Sequence, residues 1–375
     1  MILFGLRQKT KLAAKNMVRE SLVQSATNMC FVALFAVLLV IAPPIFAAVD
    51  DAALMQKRPA KLLSAYGLFS NPQAQVPAEG VLPFAIKVPL FTDYAHKYRF
   101  VYMPKGLGAA YNPNEVFSFP LGTVLVKTFA YPADFRKPEE NIRLIETRLL
   151  IHQSSGWNAW AYVWNEDQTD AVLKVAGKTI PVPWLDEAGI ARSTDYVVPN
   201  KNQCKGCHTF NKEFSPIGPK ARNLNYDYHY GNGDKNQLQQ WVDAGYLHGL
   251  SDLAGVPKMP AIDDVSAPIG ARSRAYLDVN CAHCHRVEGP ASTSGLFLTY
   301  LETNPTTWGY NKRPVAAGRG SGGFTYDIAP GNPDESILIY RLNSVDPGIM
   351  MPELGRTMIH SEGVVLLREW ISQLK

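Results

Sequence analysis

Four cysteines and two histidines carry the chemistry of this chain. Residues 204–208 read Cys-Lys-Gly-Cys-His and residues 281–285 read Cys-Ala-His-Cys-His. Both fit C-x-x-C-H, the spacing at which a c-type haem is attached. Two thiols one helical turn apart can each add to a vinyl group on the porphyrin edge. The next residue, a histidine, then stands under the iron with an imidazole nitrogen to give. The same cysteines admit other uses. Paired C-x-x-C motifs make zinc ribbons, but those separate the pairs by about 15–20 residues, whereas 73 lie between Cys207 and Cys281. Two structural disulfides suit an exported protein, yet they leave His208 and His285 unexplained. Histidine is 8 of 375 residues, so two chance placements have odds of roughly one in two thousand. A thioredoxin-like redox pair needs a βαβ setting, which the flanking sequence does not offer. Cys204, Cys207 and His208, and Cys281, Cys284 and His285, are therefore read as attaching two covalent haem c groups, with His208 and His285 on the irons.

The second axial position of each iron sets its potential and reactivity. Met351-Pro352 lies 66 residues past His285. Ala271–Val279 ahead of the motif reads as a helix. A closing helix runs from about Ser361 to Leu374, with Val364, Leu367, Trp370, Ile371 and Leu374 at helical spacing. Helix, C-x-x-C-H, long loop, Met-Pro and final helix resembles the order of a class I cytochrome c, in which the first and last helices cross and the loop supplies the methionine. Met351 is the expected distal ligand, with Met350 next to it. For the first motif, Met259-Pro260 follows His208 by 51 residues, past a short helix over Gln237–Ala244. Met259 is the leading choice there, with His248 and His229 as rivals; His/His ligation would lower that haem's potential. A methionine filling a core gap is the ordinary alternative for either Met. His283 is expected on the surface and His360 at the start of the last helix.

These sites follow a half of different character. Residues 50–198 contain no cysteine and many strand-like runs: Leu82–Val88, Tyr98–Met103, Val116–Phe119, Thr123–Phe129, Leu144–Ile151 and Trp160–Trp164, divided by turn signals such as Pro104–Gly108. That spacing predicts a β-sandwich or barrel-like domain. Its dense aromatics, among them Tyr98, Phe100, Tyr102, Trp157, Trp160 and Trp164, read first as core and second as a platform for a glycan or a partner. Asn165–Asp170 reads as a polar hairpin turn.

The formal charge of +4 belongs to the leader, where Arg7, Lys9, Lys11, Lys15 and Arg19 face only Glu20. The remainder is balanced, which gives no reason to invoke nucleic acid. A basic stretch, an apolar run from Cys30 to Ile41 and the small pair Ala47-Ala48 read as an export signal over residues 1–48. The run is short for a membrane span, so membrane attachment is expected only if the leader stays uncleaved. No Gly-rich phosphate loop, H-E-x-x-H or supported Ser-His-Asp arrangement is present.

Taken together, the residues resemble a family of exported di-haem c-type cytochromes. The resemblance runs through Pro89-Leu90-Phe91-Thr92-Asp93-Tyr94, Phe119-Pro120-Leu121-Gly122-Thr123, Glu146-Thr147-Arg148-Leu149-Leu150, Pro199-Asn200-Lys201-Asn202-Gln203-Cys204, Tyr276-Leu277-Asp278-Val279-Asn280-Cys281 and Pro330-Gly331-Asn332-Pro333-Asp334. The same arrangement is similar to the haem-bearing region fused to some quinoprotein sugar dehydrogenases. It implies haem ligation by His208 and His285, with Met351 matching the family's Met-Pro segment, and a role in periplasmic oxidation of an organic substrate. The expected architecture is α+β and multidomain: a signal peptide (1–48), an N-terminal β-sandwich-like domain (50–198), and two mainly α cytochrome c-like haem domains (199–265 and 266–375). The expected function is electron transfer from a separate dehydrogenase to a downstream acceptor, with a haem enzyme such as a di-haem peroxidase as the alternative.

Overall fold

Alternating apolar and polar residues build one antiparallel sheet whose order in space follows its order in sequence. The strands are β1 (Val81–Pro83), β2 (His96–Tyr102), β3 (Val124–Pro132), β4 (Ile142–Gln153), β5 (Gly156–Trp164) and β6 (Ala171–Leu173). The structure is a computed structural model and describes residues 48–375 except 232 and 316; the expected signal segment lies outside the described residues but for its last position. Among them, no helix is long and apolar enough to cross a membrane. The described residues form one compact unit.

Both faces of the sheet are covered. Because side chains alternate along a strand, Phe100, Tyr102, Val126, Leu149, Ile151, Tyr162 and Trp164 share one face and pack under Leu54, Leu63, Tyr66 and Leu68. The opposite face is covered in two places. At one end Val101, Met103 and Leu125 pack against Leu224, Leu238 and Trp241. At the other, Phe129, Tyr131, Ile145 and Val163 meet a hairpin of β7 (Lys178–Leu185) and β8 (Ala191–Val198), through Ile180, Val182, Trp184 and Tyr196. Pro181 and Pro183 sit in β7 because its edge away from β8 is unpaired at those positions, meeting the Ala133–Phe135 segment only at Leu185.

The expected architecture is corrected here. Among the described residues, one six-stranded sheet and five two-stranded ones replace a sandwich, and the segments expected to bear haem are not mainly α. Seven α-helices occur among the described residues, and the longest has 13. In 199–265 the helices α1 (Lys201–Cys207), Ala221–Leu224 and α2 (Gln237–Asp243) are one or two turns long, interleaved with short ribbons. Helices that short gain little from their own hydrogen bonds, and their apolar residues find a core only on the sheet. In 266–375, α3 (Ile269–Asn280), α4 (Ile337–Leu342) and α5 (Ser361–Gln373) are separated by long irregular and 3-10 stretches. Tyr276, Leu277, Leu298, Ile339, Leu367 and Ile371 form their shared core. α3 and α5 touch closely: a Cβ on Gly363 would meet the Tyr276 hydroxyl at 2.5 Å.

Candidate functional site

α1 exists to present Cys204 and Cys207. Its start is fixed by a reciprocal capping box between Asn200 and Gln203. After His208 the chain folds back through a ribbon, Thr209–Phe210 paired with Glu213–Phe214, turning on the left-handed residues Asn211 and Lys212. This return lays the Phe214 ring on the His208 imidazole at 5.2 Å and 5°. It also puts the Ser215 carbonyl 2.8 Å from Nδ1. A carbonyl only accepts, so Nδ1 carries the proton and Nε2 keeps its lone pair. Such an outer hydrogen bond orients a metal-binding histidine. Burial pushes the His208 pKa down to about 4, leaving the ring neutral at pH 7.

α3 delivers the second motif. Its last turn runs into Cys281, whose N–H donates to the Leu277 carbonyl. Cys281 is buried in the C-terminal core, and burial pushes its thiol up to about 12. The His285 ring is held by the Ser294 hydroxyl, 3.4 Å from Nδ1, and by the Leu296 backbone; burial brings its pKa to about 4. Cys284 turns toward the first motif. The ligating atoms of Cys207, His283 and Cys284 all lie within 4.8 Å of one another. The Cys284 thiol donates to the Gly206 carbonyl at 3.7 Å, and the closeness of the two thiols lowers the pKa of Cys207 and raises that of Cys284.

A cavity of about 410 Å³ opens beside α1. Cys204, Cys207, His208 and His283 line it together with Tyr276, Met350, Pro352 and His360. The loop that carries Met350 is tied down by Arg356, whose guanidinium donates to the carbonyls of Arg341, Leu342, Ser344, Met351 and Met358. Asp93, from the loop before β2, holds the same segment by accepting from the N–H groups of Thr357 and Met358 at 2.8 Å. All three parts of the chain therefore meet around one space.

The sequence-predicted residues distribute unevenly around it. Cys204, Cys207 and His208 line the cavity, and Cys284 touches Cys207. Cys281 and His285 do not line it. Met350 does, whereas Met351 does not. Met259 is buried beside Val88, Ala275 and Val279, also off the wall. His229 is exposed and pairs with Asp234 at 2.7 Å, and His248 is exposed on the short pairing with Ala110. His283, expected on the surface, is a wall residue, and His360 stands at the start of α5 as expected and also lines the wall. His360 stacks on Phe91 at 4.3 Å and 10° and meets the Tyr276 hydroxyl at 3.1 Å. Of the tryptophans proposed as a glycan platform, Trp164 is core, Trp157 stacks on His152 at 4.7 Å, and Trp160 lines the cavity beneath the Lys201 ammonium.

The residues present fit a covalently held haem at the first motif. Both thiols and the neutral imidazole of His208 face one largely apolar cavity, and its volume is of the size that small-molecule sites use, about 300–1,000 Å³. At the second motif the fit rests on the donor set alone: two thiols and a neutral imidazole in C-x-x-C-H spacing. Set against known proteins, the chain matches no family model, no curated protein and no solved structure.

Proposed function

We propose that the chain is an exported di-haem c-type cytochrome that carries electrons in the periplasm, from a separate dehydrogenase, with a quinoprotein as the natural class, to a downstream acceptor. The observation that carries this reading is the cavity lined by Cys204, Cys207 and His208, with the His208 tautomer fixed by Ser215 so that Nε2 is free to ligate. The haem supplies reversible one-electron chemistry when bound. The chain's own residues do the rest. Cys204 and Cys207 anchor the first group and Cys281 and Cys284 the second, while His208 and His285 each give a nitrogen. Met350, His283 and His360, on the same wall, would be the other candidates to hold the first group, and Met351 would be the expected candidate at the second.

The test is the visible spectrum and intact mass of the exported protein. Two covalent haems, low-spin and six-coordinate, support the reading; a resting high-spin iron with hydrogen peroxide turnover would favour a haem enzyme instead.

One observation favours a second reading. Cys207, His283 and Cys284 form a three-ligand cluster, which is a zinc-like donor set. It removes the spacing objection drawn from the sequence, but it leaves Cys204, Cys281, His208 and His285 without a role. Metal analysis of the same preparation separates the two: one zinc and no haem would establish it.

A further inference from the structure

The sheet face between its two apolar ends carries an unusual row. Arg99 on β2, Lys127 on β3 and Arg148 on β4 are directly opposite one another in register. All three line the cavity. Like charges opposed across strands destabilise a sheet, and a buried charge without a partner costs more still. In the adjacent row Lys97 adds a fourth cation, and burial first, then Arg99, pushes its pKa down to about 7. Burial also holds the Lys127 ammonium well below its ordinary pKa.

The negative charge within reach is too small to answer this row. Glu146 is fully buried and bonds the Arg148 guanidinium and, at 2.5 Å, the Tyr196 hydroxyl. Asp93 accepts from Thr357 and Met358, and its charge acts mainly on Lys97. Asp278 is paired with Arg222, and Glu353 on the same wall lies 3.9 Å from Arg341. Lys220 and Arg356 add positive charge to the same wall; Lys220 reaches Glu115 at 3.6 Å. Arg99 donates to the Lys97 carbonyl at 3.2 Å and Lys127 stands 4.6 Å from the Phe129 ring centre. Among the described residues neither has a carboxylate partner. If the role were packing alone, apolar side chains would fill this face without the desolvation cost. Much of the remaining wall is apolar, with Phe84, Ile86, Leu90, Leu125 and Trp160, interrupted by neutral polar groups such as Asn223 and Asn280. The cavity is thus built for a molecule with an apolar body and negative groups.

We infer that Arg99 and Lys127, together with Arg148, hold the propionate carboxylates of the haem attached at Cys204 and Cys207. This rests on the haem reading above and deepens it. The sheet becomes part of the haem site: it supplies most of the counter-charge, to which the short 199–265 segment adds Lys220. Cations kept beside the group favour its reduced form, so the row also raises the potential of this haem relative to the other.

The test uses the haem-loaded full chain with Arg99→Gln, Lys127→Met and Lys127→Arg. Haem content is measured first, by mass. With two haems retained, Lys127→Met and Arg99→Gln are each expected to make reduction of one haem about tenfold less favourable, equal to ~59 mV for a one-electron couple, and to leave the other haem unchanged. The propionate bending band in the resonance Raman spectrum shifts in step, and Lys127→Arg restores both. Two bound haems with unmoved potentials and unmoved propionate bands in Lys127→Met and Arg99→Gln would overturn the inference. A wild-type chain carrying no haem overturns the parent reading, and is seen before any variant is compared.

Discussion

The Sγ atoms of Cys207 and Cys284, 77 positions apart in the sequence, lie within 4.8 Å of each other. Each is the second cysteine of its C-x-x-C-H motif, so the two attachment points abut. The contact is made from two sides. α1 is fixed by its capping box, and α3 is held by the Asp278–Arg222 pair, which is almost fully buried. In a di-haem protein, such contact puts the two groups in direct communication and lets the pair act as one conduit.

The closeness of these two thiols has a chemical consequence in the haem-free chain. The neighbouring Cys284 lowers the pKa of Cys207 and so favours its thiolate, whereas Cys281 is buried and its thiol is pushed up to about 12. Thiolate, not thiol, is the nucleophile. Limited iodoacetamide labelling at pH 6, mapped by mass spectrometry, is expected to modify Cys207 first and Cys281 last. Preferential labelling of Cys281 would contradict this arrangement.

The Arg222–Asp278 pair tests how the first-motif segment is fixed to α3. Arg222 makes bidentate bonds to Asp278 at 2.9–3.2 Å, and Asp278 also accepts from the Tyr300 N–H at 2.8 Å. Asp278→Ala leaves a buried guanidinium unpaired and is expected to cost about 3–5 kcal/mol. Urea unfolding measures it; a loss under 1 kcal/mol would show that water or another group takes over.

Gly363 inverts the usual rule for helices. Glycine to alanine inside a helix normally gains up to about 1 kcal/mol. Here the new Cβ meets the Tyr276 ring at 2.6 to 2.7 Å. Gly363→Ala is expected to destabilise by about 1–3 kcal/mol, read as a lowered thermal midpoint. A raised midpoint would mean that α3 and α5 are looser than they look.

Acid sensitivity follows from the buried histidines. His208, His285 and His360 each have a folded pKa near 4, lowered by burial, against about 6.5 when unfolded. Unfolding therefore takes up protons below pH 6.5. Stability of the haem-free chain is full above that value, falls between 6.5 and 4, and levels off below, with each ring costing at most about 3 kcal/mol. His360→Phe keeps the stacking on Phe91 and is expected to flatten this limb by one proton. Urea midpoints across the range measure it, and an unchanged slope would contradict the role given to His360.

What the sequence made legible was local. The strands at Tyr98–Met103, Thr123–Phe129 and Leu144–Ile151 and the helices at Ala271–Val279 and Ser361–Leu374 overlap β2, β3, β4, α3 and α5, because alternation and helical spacing act over a few residues. The hairpin of β7 and β8 was hidden by Pro181 and Pro183, which argue against a strand unless its edge is free. Helical content was overestimated because the haem motifs suggested helical domains, whereas the short helices lean on the sheet. Long-range placement left no local trace. Strand parity could put Arg99, Lys127 and Arg148 on one face, but only the register puts them in one row. Nothing in the motif itself told that His283 faces inward, or that Met350 rather than its neighbour lines the wall.

The central claim is that both motifs carry haem. The most direct measurement is the intact mass of the exported, mature protein together with its pyridine haemochrome spectrum. The expected result is two covalently attached haems per chain, with Cys207→Ser and Cys284→Ser each removing one thioether from a different group. A mature chain with no haem, holding its cysteines as thiols, as disulfides or on a zinc ion, would contradict it.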